Sequence, residues 1–100
     1  MKNFRHGDVI LKAVKSIRGE EINKDKDLIL ALGEVTGHSH RIPQGQAQMF
    51  KFNDKTYIKV TKGIACLKHE EHKEIKIPRG CYEIEIQKDY SPDGWKKVQD

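Results

Sequence analysis

Apolar and polar positions in this chain alternate over short runs separated by turn residues, and little of the pattern has the period of a helix. Tyr82 to Gln87 (YEIEIQ) sets Tyr82, Ile84 and Ile86 on one face and Glu83, Glu85 and Gln87 on the other, the signature of a half-buried strand. Asp8 to Val14 (DVILKAV), rich in branched residues and introduced by Gly7, predicts the first strand. Ser16 to Asp27 is polar, charged and broken by Gly19, so it reads as a loop. Leu28 to Leu32 reads as a fully buried strand, after which Gly33 permits a bulge before Glu34-Val35-Thr36 and Gly37 turns the chain again.

Pro43-Gln44-Gly45 marks a further turn. Ala47 to Phe52 and Thr56 to Val60 predict a hairpin joined by a three-residue loop, Asn53-Asp54-Lys55. Lys62-Gly63 predicts a turn, Ile64 to Lys68 a strand and Glu74 to Ile77 a short one, with Pro78-Arg79-Gly80 as a tight turn before Tyr82. Ser91-Pro92-Asp93-Gly94 turns the chain once more, ahead of a tail that runs from Trp95 to Asp100. Seven or eight short strands at roughly eight- to twelve-residue spacing predict an all-β fold, a small β-barrel or sandwich. Closure into a barrel is favoured because it removes exposed edges.

A length of 100 residues allows one domain over 1–100, with 90–100 as turn and tail, and excludes architectures of the size of a TIM barrel. The longest apolar run, Leu28 to Leu32, is far short of the roughly 18 residues of a membrane helix, and MKNFRHGD lacks an apolar signal region, so a cytoplasmic protein is expected. The net charge of +4 divides evenly: eight basic and six acidic residues in the first half, eleven and nine in the second. Interleaved lysines and carboxylates of this kind favour a solvated surface over a nucleic-acid-binding stripe. Cys66 and Cys81, in no C-x-x-C pair, read as reduced thiols buried in strands. Barrel edges and apolar outer faces would admit a homodimer.

The chemistry lies in the histidines. His38-Ser39-His40 places two imidazoles on one face of a strand. His69-Glu70-Glu71-His72 places a second pair 28 residues on, convergent if the segment turns. Neutral imidazole is the commonest protein ligand for zinc and also suits iron, copper and nickel. The leading expectation is therefore one divalent ion, Zn, Fe, Ni or Mn, held by His38, His40, His69 and His72, with Glu70, Glu71 or Glu74 as ligand or base. An open position on that ion suits hydrolysis of a phosphoester or similar polar bond. Arg41 faces away from His40 on a regular strand, but a bulge would let it hold a phosphate or carboxylate.

Two alternatives use the same residues. In the first, two histidines act as general base and acid in a metal-independent nuclease, with Arg41 stabilising the charge. In the second, the chain is a phage-borne or mobile-element binding module without catalysis, which recognises a partner, a small molecule or a phosphate-containing ligand and in which the histidine pair is incidental.

His38-Ser39-His40 and Pro78-Arg79-Gly80 resemble the His-x-His and Pro-x-Gly motifs of cupins, small barrels holding a metal inside. Gln44 stands near the place of the cupin glutamate, and Glu83 near that of the second-motif histidine, so the resemblance implies the architecture without the ligand set. Over most of the chain, RHGDVIL, LALGEVTGHSHRI and LKHEEHKEIKIPRGCYEIEIQKDY resemble a family of small uncharacterised bacterial and phage proteins. That resemblance implies that Thr36 to Ile42 and His69 to His72 form one site, and it implies no activity.

Overall fold

Three tight reversals set the scaffold of the computed structural model, which describes residues 2–33 and 37–87. The Glu34-Val35-Thr36 segment, the Ser91 to Gly94 turn and the tail bearing Trp95 lie outside the described residues. The first reversal joins β1 (Phe4–His6) to β2 (Val9–Val14), with His6 opposite Val9. Its two turn residues are Gly7 and Asp8, and Gly7 takes φ +62°, the conformation that a type II′ hairpin asks of its first turn residue. The predicted first strand is therefore the second arm of a hairpin whose first arm, three residues long, is too short to show a period.

β3 (Glu20–Ile22) lies inside the predicted loop and pairs with β6 (Gln48–Phe52). Its two glutamates hide it, since only Ile22 packs against the core. β4 (Leu28–Leu32) has the predicted bounds but is an edge strand: Leu28 is buried, whereas Ile29 and Leu32 are exposed. It pairs with β5 (Ser39–Ile42) through a bulge at Leu30.

β6 turns into β7 (Lys55–His69) through two residues, Asn53 and Asp54, with Phe52 opposite Lys55. The loop is one residue shorter than predicted because Asn53 and Asp54 both adopt positive φ, at 50° and 65°, completing a type I′ turn whose twist matches the strands. β7 and β8 (His72–Ile86) form one long hairpin with Glu70-Glu71 at its tip and His69 opposite His72.

Lys62-Gly63 and Pro78-Arg79-Gly80, both predicted to be turns, lie within these two strands. They face one another across the ladder, where Thr61, Lys62 and Gly63 stand opposite Arg79 alone. Gly63 supplies a positive φ of 71°, and the unequal count bends the hairpin as a bulge does. Pro78 is tolerated there because the ladder is already interrupted. Below the bulge β7 pairs with β6, and beyond it Lys68 pairs with Arg41 of β5.

The strands run β1-β2-β8-β7-β5-β4, with β6 and β3 branching from the first part of β7. The fold is all-β and antiparallel, but the sheet does not close into the favoured barrel: among the described residues no ladder joins β4 or β3 to β1. The short arms β1 and β3 leave little edge to protect. Val9, Leu11, Ile42, Ile58, Val60, Leu67 and Ile77 make the centre of the core. Tyr82 completes it, its hydroxyl donating to the Pro78 carbonyl at 2.8 Å and its ring meeting Phe4 edge-on. Cys66 and Cys81 are free, half-buried thiols in β7 and β8 rather than buried ones. Among the described residues there is no helix long and apolar enough to cross a membrane.

Candidate metal centre

All five histidines gather at one end of the molecule. His40 projects from β5, His69 and His72 from the two sides of the β7–β8 tip, and His38 stands just ahead of β5. The His40 ring lies 4.4 Å from that of His69 and 5.4 Å from that of His72, and His69 and His72 are 4.6 Å apart. His38 lies 5.6 Å from His69. His69 and His72 converge across a turn, and His38 and His40 both line one cleft although His38 stands outside the strand. Neither Glu70 nor Glu71 has positive φ, so the tip is not the primed turn of the other hairpins. The register slips by one residue between Leu67 and His69.

Sequence reasoning missed the fifth histidine. His6, at the end of β1, is as buried as His40, at 3% and 4% exposure. Its Nδ1 lies 2.9 Å from Nδ1 of His40, and its Nε2 lies 2.9 Å from the backbone oxygen of Lys73. The signal that would have found it is the near-symmetry of Phe4-Arg5-His6 and Val9-Ile10-Leu11 about Gly7-Asp8, which marks a hairpin.

The donors form two overlapping trios. His40, His69 and His72 offer nitrogens within 4.8 Å of one another, and His38, His69 and Glu70 offer a second such group. A tetrahedral ion with bonds of about 2.0–2.1 Å spaces its nitrogens roughly 3.4 Å apart, so the rings close on it by small rotations. In the second trio the carboxylate is already engaged: Glu70 accepts from the Ser39 amide at 3.1 Å and from Arg41 Nη1 at 2.9 Å. Burial pushes the Glu70 carboxyl up, but hydrogen bonds from its own and the Ser39 amide, with the Arg41 guanidinium, outweigh it and hold it at about 2. Glu70 thus clamps the hairpin tip to β5, which leaves His40, His69 and His72 as the trio made of imidazoles alone.

Two further observations fit an ion here. His38 Nδ1 is buried with no hydrogen-bond partner, its nearest acid being Glu71 Oε2 at 3.6 Å; such orphaned polar atoms call for a missing partner. Gly7 and Gly33 also press on the rings, since a Cβ on Gly7 would stand 2.8 Å from His72 Nε2 and one on Gly33 would stand 2.9 Å from His69 Nε2. The trio opens into a cleft of about 240 Å³ bounded by Asp8, Ala31, Leu32, Glu71 and Ile86. Arg41 lies away from this cleft, its Nη1 also donating to the Ser39 carbonyl. Glu74 stands beside the Cys66 thiol, which it pushes up, and does not line the cleft. Glu71 is exposed at the rim, its amide donating to His69 Nδ1 at 3.0 Å.

Burial, reinforced by the surrounding histidines, pushes His40 from 6.5 down to about 4. His6 and His69 are lowered for the same reason. These folded values lie below the unfolded ones, so the stability carried by the neutral rings is complete above about pH 6.5 and is lost as pH falls through about 4. Urea titrations of the metal-free protein are expected to give a stability on the order of 2 kcal/mol lower at pH 4 than at pH 7.5, with a shallower slope in His40→Gln. An unchanged slope in that variant would show that His40 is not the group being protonated.

Residues 5–87 match a protein family described as a domain of unknown function (DUF8820). No curated protein and no solved structure matches the chain.

Proposed function

The chain belongs to the DUF8820 family, whose description names no activity, and we propose from the site itself that it binds one divalent transition-metal ion through His40, His69 and His72. The convergence of these three donors on a cleft, from three strands, is the observation that carries the reading. Three protein ligands would leave a coordination position free for water or substrate, the arrangement of catalytic rather than structural sites. His38, whose Nδ1 is unpartnered, is the fourth donor at hand.

The ion would supply Lewis-acid polarisation of a bond in the cleft, which makes the domain a candidate metal-dependent hydrolase. Glu71, exposed at the rim of the cleft, would be the group that accepts a proton there. The described lining holds the carboxylates Asp8 and Glu71, the apolar side chains Ala31, Leu32 and Ile86, and no lysine or arginine. That lining favours a small uncharged substrate over a phosphoester.

Protein purified without chelator is expected to contain close to one ion per chain by elemental mass spectrometry. Metal-free protein should gain about 10 °C or more in Tm when zinc, iron, nickel or manganese is added at 100 times its Kd. Well under one ion per chain, with no thermal gain from any of the four, overturns the reading. Full RNA cleavage in EDTA by such an empty protein would instead establish the acid–base alternative.

A further inference from the structure

His6 contributes no donor to the trio, yet it is buried against it, and its two hydrogen bonds have a fixed direction. A backbone carbonyl only accepts, so the 2.9 Å contact with Lys73 requires His6 to donate through Nε2. A neutral imidazole with its proton on Nε2 has a lone pair at Nδ1, and that lone pair faces Nδ1 of His40 at 2.9 Å. His40 must then donate through Nδ1, which leaves its Nε2 with the free lone pair.

We infer that His6 is a positioning residue: the chain from the Lys73 carbonyl through His6 to His40 fixes the tautomer of His40 so that Nε2 is its ligating atom. This inference rests on the metal-binding reading above. Ligating histidines commonly hand their second N–H to an outer partner that fixes the ring, and here that partner is a second histidine anchored in turn to β8. Three strands are tied together: β1 through His6, β5 through His40 and β8 through Lys73. The His6 and His40 rings meet nearly edge-on, at 79°, so rotation of His40 is blocked on that side.

The test begins with metal-free wild-type protein at pH 8, where long-range proton–nitrogen correlation spectra of the imidazoles report which nitrogen carries hydrogen. His40 is expected to be protonated at Nδ1 and His6 at Nε2. Zinc affinity, measured by competition with a chromophoric chelator, is expected to fall roughly 10–100-fold in His6→Phe, and His40 should shift to the opposite tautomer. His6→Asn, whose side-chain oxygen can accept where Nδ1 stood, should restore the tautomer and bring affinity to within a few-fold of wild type. A wild-type His40 protonated at Nε2, or an affinity unchanged in His6→Phe, overturns the inference while leaving the metal site standing. Failure of wild-type protein to take up zinc overturns the metal reading and this inference with it.

Discussion

Replacing His40 with alanine is expected to abolish metal binding, with affinity down more than 100-fold, beyond the 10–100-fold typical of losing an outer partner. The ring is one of three converging donors and the one held most rigidly, between His6 on one side and His69 and His72 on the other. The effect on the metal-free fold is much smaller. Truncation leaves His6 Nδ1 without its donor, but the space opens toward the 240 Å³ cleft, where water can enter. The loss should therefore be about 1–2 kcal/mol, and urea titration in EDTA separates it from the metal effect. His38→Ala should retain most of the affinity, because His38 stands outside the trio. Equal losses in the two variants would return the site to the four-histidine arrangement expected from the sequence.

Gly7→Ala is expected to damage fold and site together. The residue sits at φ +62° in the β1–β2 turn, where a side chain costs about 1–2 kcal/mol. The new methyl would stand 2.8 Å from His72 Nε2 and 3.0 Å from His40 Cε1. His40 is braced by His6, so the His72 ring is displaced. We expect about 2–4 kcal/mol of lost stability and a loss of metal affinity of at least tenfold, both read in one thermal-shift series with and without zinc. Gly37→Ala is the control: its φ of +88° is also in the left-handed region, but among the described residues nothing lies within 4 Å of the added carbon. It should lose about 1 kcal/mol and keep its metal. Matching losses of affinity would mean that backbone strain, not crowding of the rings, governs the site.

The bounds of β4 and the existence of the β6–β7 hairpin could be read from residues alone, because a branched run and an Asn-Asp pair carry their own local conformation. The errors share a cause. Gly63 and the Pro78 to Gly80 segment are ordinary turn signals, and only their juxtaposition across the β7–β8 ladder turns them into the two sides of one bend. Leu28 to Leu32 is apolar enough for a buried strand, yet Leu32 is 76% exposed, since burial depends on what a sheet places beyond its last strand. The two histidine pairs announced themselves by spacing. His6 did not, because its partners lie 34 and 67 positions away. The division of labour between His69, shared by both trios, and Glu70, committed to Arg41, is likewise invisible until β5 meets the hairpin tip.

That meeting is narrow as a ladder: among the described residues, Arg41 opposite Lys68 is the single strand-paired position between β5 and β7. The hairpins β1–β2, β6–β7 and β7–β8 close over short stretches of chain, whereas the donor cluster needs segments far apart in sequence to be docked on one another, with the loop-closure entropy that entails. A partly folded or nascent chain has His69 and His72 near each other but neither His40 nor His6 in place. The complete site therefore exists only once tertiary assembly is finished, and an ion captured by it adds its binding free energy to the native state alone.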